Sequence, residues 1–308
     1  MNIDINKVFP MDPSNYEGHL SAKGQSQDGL FMPLVKLVYD AKYSLAATQQ
    51  SKADTTMTYI DVLGHSTWTS ISEKNADCVL MLHGGLNGSD TFTDVGDGLA
   101  DKYRVGYFDR RGHGKTADTA EPFHYESMAD ETIAVLESIG GASHIVGWSD
   151  GGNIGLIVAM RRPELVKRLV VIGANFKVEG MFDMELDENN PVMQMMAGRY
   201  MENSPDGPEH FEEFVNKSLV MWGAEPNMTV HDLSTISVPV LVMVGDDDAV
   251  SLSQTCEMYE NIPGAQLAVV PGTSHGLPLE KPETVARIID EFFSQQLPVE
   301  TLIPIRRK

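Results

Sequence analysis

The sequence predicts an α/β protein with a mostly parallel central sheet flanked by helices. Short, continuous apolar runs are typical of strands buried on both faces of a sheet. These runs are Cys78–Leu82, Arg104–Phe108, His144–Val146, Leu169–Ile172, Val240–Val244 and Gln266–Val270. Helical patterns separate them, at Thr91–Lys102, Ser127–Ile139, Gly152–Arg161, Ser251–Asn261 and Pro282–Gln296. Strict alternation of strand and helix favours parallel strands, right-handed crossovers and helices on both faces of the sheet.

A hairpin is predicted before this alternation begins. Thr56–Asp61 and Ser66–Ser72 alternate in polarity and contain β-branched and aromatic residues, with Gly64 at the turn between them. The alternation breaks once, over residues 175–235, where a Met-rich stretch is interrupted by prolines. We interpret this insertion as a helical cap. Its methionines suit either an adaptable pocket wall or simple core filling.

The prediction divides the chain into four regions. Residues 54–174 and 236–297 form the core, residues 175–235 the cap and residues 298–308 a C-terminal tail. Residues 1–53 form an N-terminal extension with one apolar island, and Pro33 is placed to begin a helix that runs to about Thr48. That helix could be a lid or partner-binding element, or it could pack on the domain edge with a loose tail before it.

Composition and charge exclude several classes of function. The formal net charge of −21 argues against nucleic acid as a partner, because phosphates would be repelled. No apolar window approaches 18 residues and the N-terminus does not resemble a signal peptide, so we expect a cytoplasmic protein with no membrane span. With only two cysteines, Cys78 and Cys256, we expect no disulfide. We also expect no metal and no cofactor, and a small molecule as the substrate.

The strongest motif is Gly-Trp-Ser-Asp-Gly at residues 147–151, between a predicted strand and a predicted helix. Such a turn strains the backbone at its centre and requires small neighbours, here Gly147 and Gly151. The strain projects the hydroxyl of Ser149 above the sheet, and the following helix points its positive dipole end at the same place. We therefore predict Ser149 to be a nucleophile.

A serine hydroxyl needs a base within hydrogen-bond reach, and an acid to hold that base. His275 is the predicted base, because it follows the last predicted strand at the same end of the sheet as Ser149. The acid should follow the preceding strand, where Asp246, Asp247 and Asp248 are adjacent. Asp248 lies furthest into the loop and is the predicted acid, while the other two are predicted to cap or turn.

An oxyanion hole needs two backbone N–H donors. One is predicted at Asp150, directly after the nucleophile. The other should come from the glycine-rich loop after the first buried strand, where Gly85 and Leu86 are both candidates. The sequence leaves the choice between them open.

The order of four motifs resembles the α/β-hydrolase superfamily from about residue 55 to 297. They are Leu-His-Gly-Gly at 82–85, Asp-Arg-Arg-Gly-His-Gly-Lys-Thr at 109–116, Gly-Trp-Ser-Asp-Gly-Gly at 147–152 and Gly-Thr-Ser-His at 272–275. The resemblance implies an α/β-hydrolase fold with an inserted cap. It places the acid at the fourth position of a Gly-x-x-Asp, which is Asp248 here, and a structural role on the 109–116 loop. A branch that hydrolyses haloalkanes and epoxides has Asp where this chain has Ser149, which argues against both reactions.

The turn at residues 147–152, a nucleophile elbow in this superfamily, also resembles that of hydrolases of α-amino-acid esters. In those hydrolases the acidic residue after the serine holds the substrate ammonium. Asp150 is therefore a candidate substrate contact, or else a residue that caps the helix or points into the fold. Trp148, Met193 and Met196 are further candidates for the pocket. The favoured function is hydrolysis of a carboxylic ester or lactone of a small, largely apolar substrate through an acyl-enzyme. The alternatives are hydrolysis of a carbon–carbon bond in a diketone, or a ligand receptor on the same fold.

Overall fold

Within the part of the chain that the structure describes, eight strands form a single sheet in the order β1-β2-β4-β3-β5-β6-β7-β8. The computed structural model describes residues 55–181, 190–303 and 305, so the helix predicted from Pro33 lies outside the described residues. The strands are β1 Thr55–Val62, β2 His65–Ser72, β3 Cys78–Leu82, β4 Arg104–Phe108, β5 Ser143–Trp148, β6 Val166–Ile172, β7 Val240–Asp247 and β8 Gln266–Ser274. The sheet is antiparallel from β1 to β4 through β2, and parallel from β4 to β8.

Helices connect the parallel strands, as predicted. The α-helices are α1 Thr93–Leu99, α2 Tyr125–Ser138, α3 Asp150–Arg161, α4 Pro191–Asn203, α5 Phe211–Ala224, α6 Val230–Ser234, α7 Leu252–Asn261, α8 Leu277–Glu280 and α9 Pro282–Ser294. Short 3-10 turns lie at Ser89–Phe92, Pro163–Leu165 and Pro208–His210. Within the described residues, no helix combines the length and apolarity that crossing a membrane would require.

The apolar runs are buried on both faces of the sheet. On β3, Val79 and Met81 pack against α1 and α9 on one face, within a cluster that includes Leu99 and Ile289. On the other face, Leu80 and Leu82 belong to the cluster that contains the apolar sides of α2 and α3. Because successive side chains of a strand point to opposite faces, only a continuous apolar run can fill both layers.

The last two strands are longer than the apolar pattern predicts. The pattern ends at Val244 and Val270, whereas β7 continues to Asp247 and β8 to Ser274. The parallel ladder pairs Asp247 with Ser274 after a bulge. Polar residues extend these strands because backbone pairing, rather than apolar burial, holds their carboxyl ends. The extension brings the two loops that follow to the same point of the sheet edge.

The insertion between β6 and β7 contains α4, α5 and α6 in its described part. Prolines begin two of its elements, since Pro191 is the first residue of α4 and Pro208 the first of a 3-10 turn. A proline has no N–H to lose at the start of a helix. Pro205 lies in the turn between α4 and that 3-10 turn, so the three prolines mark the starts of elements or the turn between them, as predicted. The division into core and cap stays a prediction.

A buried carboxylate joins this insertion to the core. Asp118, in the loop after β4, accepts hydrogen bonds at Oδ2 from Lys217 Nζ (2.6 Å) and from His210 Nε2 (2.9 Å). Burial by itself would raise the pKa of Asp118, but these two partners outweigh it and the pKa is lowered. Glu225, just after α5, also accepts a hydrogen bond from the backbone N–H of Tyr125 (2.9 Å). Both ends of α5 are thus attached to the segment that precedes α2.

We expect Lys217→Met to lower the free energy of unfolding by about 2 kcal/mol at pH 7, because it leaves a buried carboxylate with one fewer charged donor. The control is Lys102→Met, whose partner Asp290 lies in an exposed ion pair; its loss should cost at most about 1 kcal/mol. Urea denaturation measures both. Because the folded pKa of Asp118 is lowered, this stabilisation is present above about pH 4 and lost as pH falls further. Equal losses in the two variants would contradict the assignment.

Candidate active site

Ser149 lies between β5 and α3 with a left-handed backbone, at φ 54° and ψ −120°. A non-glycine residue rarely adopts such a conformation, which therefore stores strain. The backbone is held from two sides. Its N–H donates to Ile172 O on the neighbouring strand (2.8 Å), while its carbonyl oxygen accepts from the N–H groups of Gly152 (2.8 Å) and Asn153 (3.1 Å). The strained turn predicted from the motif is thus present.

The glycines of the elbow are required by close backbone approach. A Cβ atom on Gly147 would overlap the carbonyl oxygen of Gly151, and one on Gly151 would overlap that of Leu82. Leu82 is the last residue of β3, which pairs with Gly147 on β5. The elbow therefore packs backbone to backbone against the end of β3, so the loop after β3 begins beside Ser149.

The ladder between β7 and β8 explains how Asp248 and His275 meet. Asp247 and Ser274 are paired across the two strands, so the next residue of each chain segment emerges at the same point. Asp248 Oδ1 lies 2.8 Å from His275 Nδ1. His275 Nε2 lies 3.0 Å from Ser149 Oγ. An arrangement of this kind can take a proton from the serine hydroxyl and stabilise the resulting imidazolium.

The carboxylate of Asp248 is held ionised in a buried position. Its side chain is 1% exposed. Besides His275, it accepts hydrogen bonds from the backbone N–H of Val250 (3.0 Å) and of Gly245 (3.4 Å). Burial would raise the pKa of Asp248, but the bond to His275 and these backbone donors outweigh burial and lower it.

The neighbouring carboxylates take other positions. Asp246 Oδ1 accepts a hydrogen bond from the N–H of Thr273 (3.1 Å), and Asp247 is exposed. In the part of the chain that the structure describes, no three His, Cys, Asp or Glu side chains form a group that could hold a metal ion. The three adjacent aspartates thus have different surroundings: Asp248 binds His275, Asp246 binds the backbone of Thr273, and Asp247 is exposed.

Sequence reasoning missed the role of two residues beside His275: the hydrogen bond of Trp148, and Gly173 altogether. Trp148, a candidate substrate contact, is buried and donates from Nε1 to the carbonyl oxygen of His275 (2.8 Å). Its described contacts hold the His275 loop, and its contact with substrate stays a prediction. Gly173 has a φ of 54°, and a Cβ on it would lie 3.1 Å from both Asp248 Oδ2 and His275 Nδ1. The sequence signal that could have identified Gly173 is its position directly after the predicted strand Leu169–Ile172.

The loop after β3 packs on the elbow, where the second oxyanion donor was expected. A Cβ atom on Gly84 would lie 3.4 Å from the Cβ of Ser149, and one on Gly85 would lie 2.5 Å from Asp150 Oδ2. Leu86 is buried and has a positive φ of 54°. Asp150 is the first residue of α3, so its N–H has no acceptor within the helix. Both halves of the predicted oxyanion hole therefore lie beside the nucleophile.

The side chain of Asp150 is buried and accepts hydrogen bonds from two aromatic residues. Tyr125 Oη donates to Oδ1 at 2.6 Å, and Trp222 Nε1, from α5, lies 3.0 and 3.1 Å from the two carboxylate oxygens. Burial raises the pKa of Asp150, against the opposing influence of Arg110, Tyr125 and Trp222. Sequence reasoning missed both aromatic partners, because their distance along the chain from Asp150 carries no periodic signal.

The two predicted pocket methionines lie on α4. Met193 is buried and Met196 is half-buried. Met193 belongs to an apolar cluster that also contains Leu86 of the loop after β3 (residues 83–88, the predicted oxyanion loop), and Met196 and Trp222 pack against it. This position is compatible with a pocket wall and with core filling, so their contact with substrate stays a prediction.

The packing of Gly85 leads to a test. In Gly85→Ala the new methyl group would meet the indole of Trp222 and the carboxylate of Asp150. We expect a loss of about 1–3 kcal/mol in the free energy of unfolding, as is typical of overpacking. Gly198→Ala, within α4, is the control, because a Cβ there meets nothing within 4 Å and the alanine should stabilise the protein by about 0.5–1 kcal/mol. Chemical denaturation measures the free energy of unfolding of both variants. A wild-type value for Gly85→Ala would show that the loop after β3 rearranges without cost, which would contradict the expected overpacking.

Comparison with known proteins identifies the relatives of this chain. Residues 79–288 match the model of the alpha/beta hydrolase family. "Putative carbamate hydrolase RutD" of Caulobacter sp. (strain K31) is 27% identical over 241 residues, which cover 70% of this chain and 90% of that protein. Pimeloyl-[acyl-carrier protein] methyl ester esterase of Neisseria meningitidis serogroup C is 26% identical over 243 residues, covering 70% of this chain and 92% of that protein.

Among solved structures, the enol-lactonase from Burkholderia xenovorans LB400 superimposes with a TM-score of 0.63 at 18% identity, covering 77% of this chain and 100% of that chain. A bacterial membrane phospholipase A gives a TM-score of 0.68 at 17% identity, covering 86% and 95%. Such low identities show a shared fold. Because the family match spans more than half of the sequence, this chain belongs to the alpha/beta hydrolase family.

Proposed function

We propose that this chain hydrolyses a carboxylic ester through an acyl-enzyme, with Ser149 as nucleophile, His275 as general base and Asp248 as the acid that orients it. One observation carries the proposal. Asp248, His275 and Ser149 form a continuous chain of hydrogen bonds, 2.8 and 3.0 Å long, at the carboxyl end of the sheet. The relatives named as a methyl ester esterase and a carbamate hydrolase support a reaction at an acyl carbon.

Acylation begins when Ser149 Oγ attacks the ester carbonyl carbon and its proton passes to His275 Nε2. The carbonyl oxygen becomes an oxyanion, which backbone N–H groups of Asp150 and the loop after β3 stabilise. The ester C–O bond then breaks, and His275 gives its proton to the departing alcohol oxygen. The products of this half-reaction are the free alcohol and an acyl-enzyme at Ser149.

Deacylation repeats the same proton transfers with water. His275 removes a proton from a water molecule as its oxygen attacks the acyl carbon. The bond to Ser149 Oγ breaks, and His275 returns the proton to that oxygen, so the enzyme is regenerated and a carboxylic acid leaves. The ionised Asp248 stabilises the imidazolium that forms in both halves.

For the substrate, we propose a small, largely apolar ester or lactone. The apolar side chains of Leu86, Met193 and Met196, all part of or packed against the large core cluster on this face of the sheet, support this choice. Asp150 remains the sequence candidate for binding a substrate ammonium. Its buried carboxylate already accepts hydrogen bonds from Tyr125 and Trp222, which supports a role inside the protein instead.

We expect wild type to turn over p-nitrophenyl butyrate, and Ser149→Ala to reduce kcat by about 10⁴-fold or more, because the covalent route is lost. Initial rates of p-nitrophenol release measure the difference. Labelling by a fluorophosphonate probe should likewise occur in wild type and be absent in Ser149→Ala. Activity that is equal in the two proteins would contradict the proposed function.

The adjacent aspartates provide a matched test of the acid. Asp248→Asn should reduce kcat by about 10²–10⁴-fold, since an amide cannot stabilise the imidazolium of His275. Asp247→Asn, one residue earlier and exposed, should leave kcat within about twofold. Steady-state kinetics on the same ester distinguish them. A wild-type rate in Asp248→Asn would place the acid elsewhere.

A further inference from the structure

Arg110, within the 109–116 loop, is fully buried beneath the oxyanion loop. Arg110 is 0% exposed. Its Nη1 donates to the carbonyl oxygen of His83 (2.6 Å), and its Nη2 donates to that of Gly84 (3.1 Å). The guanidinium thus binds two successive carbonyls of the loop after β3.

Packing alone does not account for a charge at this position. Within the described residues, no carboxylate oxygen lies within ion-pair distance of Arg110, and its Nε has no hydrogen-bond partner. Burial lowers the pKa of Arg110, and the nearby charges of Asp150, Glu131 and Asp109 oppose this effect without forming an ion pair. Burying a cation without a paired anion is costly, and an apolar side chain of similar volume would cost less. The two hydrogen bonds to the loop are the distinctive contribution of the guanidinium.

His83 provides a second donor to the carbonyl oxygen of Gly84. Its Nε2 lies 3.2 Å from the backbone N–H of Arg110, which can only donate. The ring proton of the neutral imidazole therefore resides on Nδ1, which lies 2.8 Å from Gly84 O and donates to it. Burial lowers the pKa of His83 well below its usual range, so the ring stays neutral.

Restraining the Gly84 carbonyl also orients the N–H of Gly85. The two groups belong to one planar trans peptide and point in opposite directions. Arg110 and His83 hold the oxygen on one side, so the N–H is turned to the other. Gly84 itself lies against the Cβ of Ser149. The peptide from Gly84 to Gly85 is therefore adjacent to the nucleophile.

We propose that Arg110 and His83 are positioning residues that preset the Gly85 N–H as the second oxyanion donor. The inference rests on the proposed function. It selects Gly85 over Leu86 because two side chains hold the Gly84 carbonyl and Gly84 packs against Ser149, whereas Asn87 Nδ2 is the one side-chain donor to the Gly85 carbonyl (2.7 Å) among the described residues. Two donors on the Gly84 carbonyl also polarise the peptide, which strengthens its N–H as a donor. The effect should therefore appear in the transition state rather than in substrate binding.

The test compares Arg110→Met with Arg111→Met. Arg111 follows in the same loop but donates to Thr119 Oγ1 and Pro122 O, away from the oxyanion loop. On p-nitrophenyl butyrate, Arg110→Met should reduce kcat by about 10–100-fold with KM within about twofold, a partial loss of one oxyanion donor. Affinity for butylboronic acid, whose serine adduct places an oxygen in the hole, should fall by a similar factor. Arg111→Met should keep both values within about twofold.

His83 offers a conservative pair. In His83→Asn the amide nitrogen can replace Nδ1 as donor to Gly84 O, so kcat should stay within about threefold of wild type. His83→Leu has no donor and should lose about 10-fold. Arg110→Lys, which keeps the charge but can reach only one carbonyl, should lose about 3–10-fold and serves if Arg110→Met does not fold.

Several results would overturn the inference. Wild-type kcat in Arg110→Met, Arg110→Lys or His83→Leu would do so, as would a loss expressed in KM with boronate affinity unchanged. Equal losses in Arg110→Met and Arg111→Met would reduce the role of Arg110 to general packing. A wild type without Ser149-dependent turnover would contradict the proposed function and this inference with it. Normal turnover with insensitive Arg110 and His83 variants would contradict this inference alone.

Discussion

The left-handed backbone at Ser149 is the constraint on which the rest of the site depends. Strain of this kind persists only when the surrounding structure holds it. Here β6 binds the Ser149 N–H and the first turn of α3 binds its carbonyl. Gly147 allows that turn to approach β5, and Gly151 allows it to approach β3. The same contacts place the N-terminus of α3 and the loop after β3 on either side of the hydroxyl. One local conformation therefore requires three strands and a helix in register.

Around this turn, buried side chains hold backbone groups in place. Arg110 and His83 bind carbonyls of the oxyanion loop, Trp148 binds the carbonyl of His275, and Asp248 accepts from Val250 as well as from His275. Each of these bonds fixes a peptide or a ring before any substrate arrives. Preorganised dipoles of this kind need little rearrangement when charge develops, and they act strongly where water is excluded.

The insertion contributes to this arrangement through Trp222. Its indole binds the carboxylate of Asp150, whose backbone N–H is the first amide of α3. A second polar contact lies further towards the start of the insertion's α5, where Asp118 of the core binds Lys217 and His210. The insertion is thus joined to the elbow and to the loop after β4 by buried polar contacts, whose directional geometry restricts its position more than apolar packing would.

Local sequence patterns determined the strand and helix order, the bounds of β3 and β4, the elbow and the order Ser149, Asp248, His275 in the chain. Each of these is encoded within a few neighbouring residues, by apolar runs or by glycines around a turn. Only the tertiary structure decided that β7 and β8 extend through polar residues, that Asp150 meets Tyr125 and Trp222, and that Arg110 lies beneath Gly84. Those outcomes depend on strand register and on residues distant in sequence, because backbone pairing and buried charge leave no periodic trace along the chain.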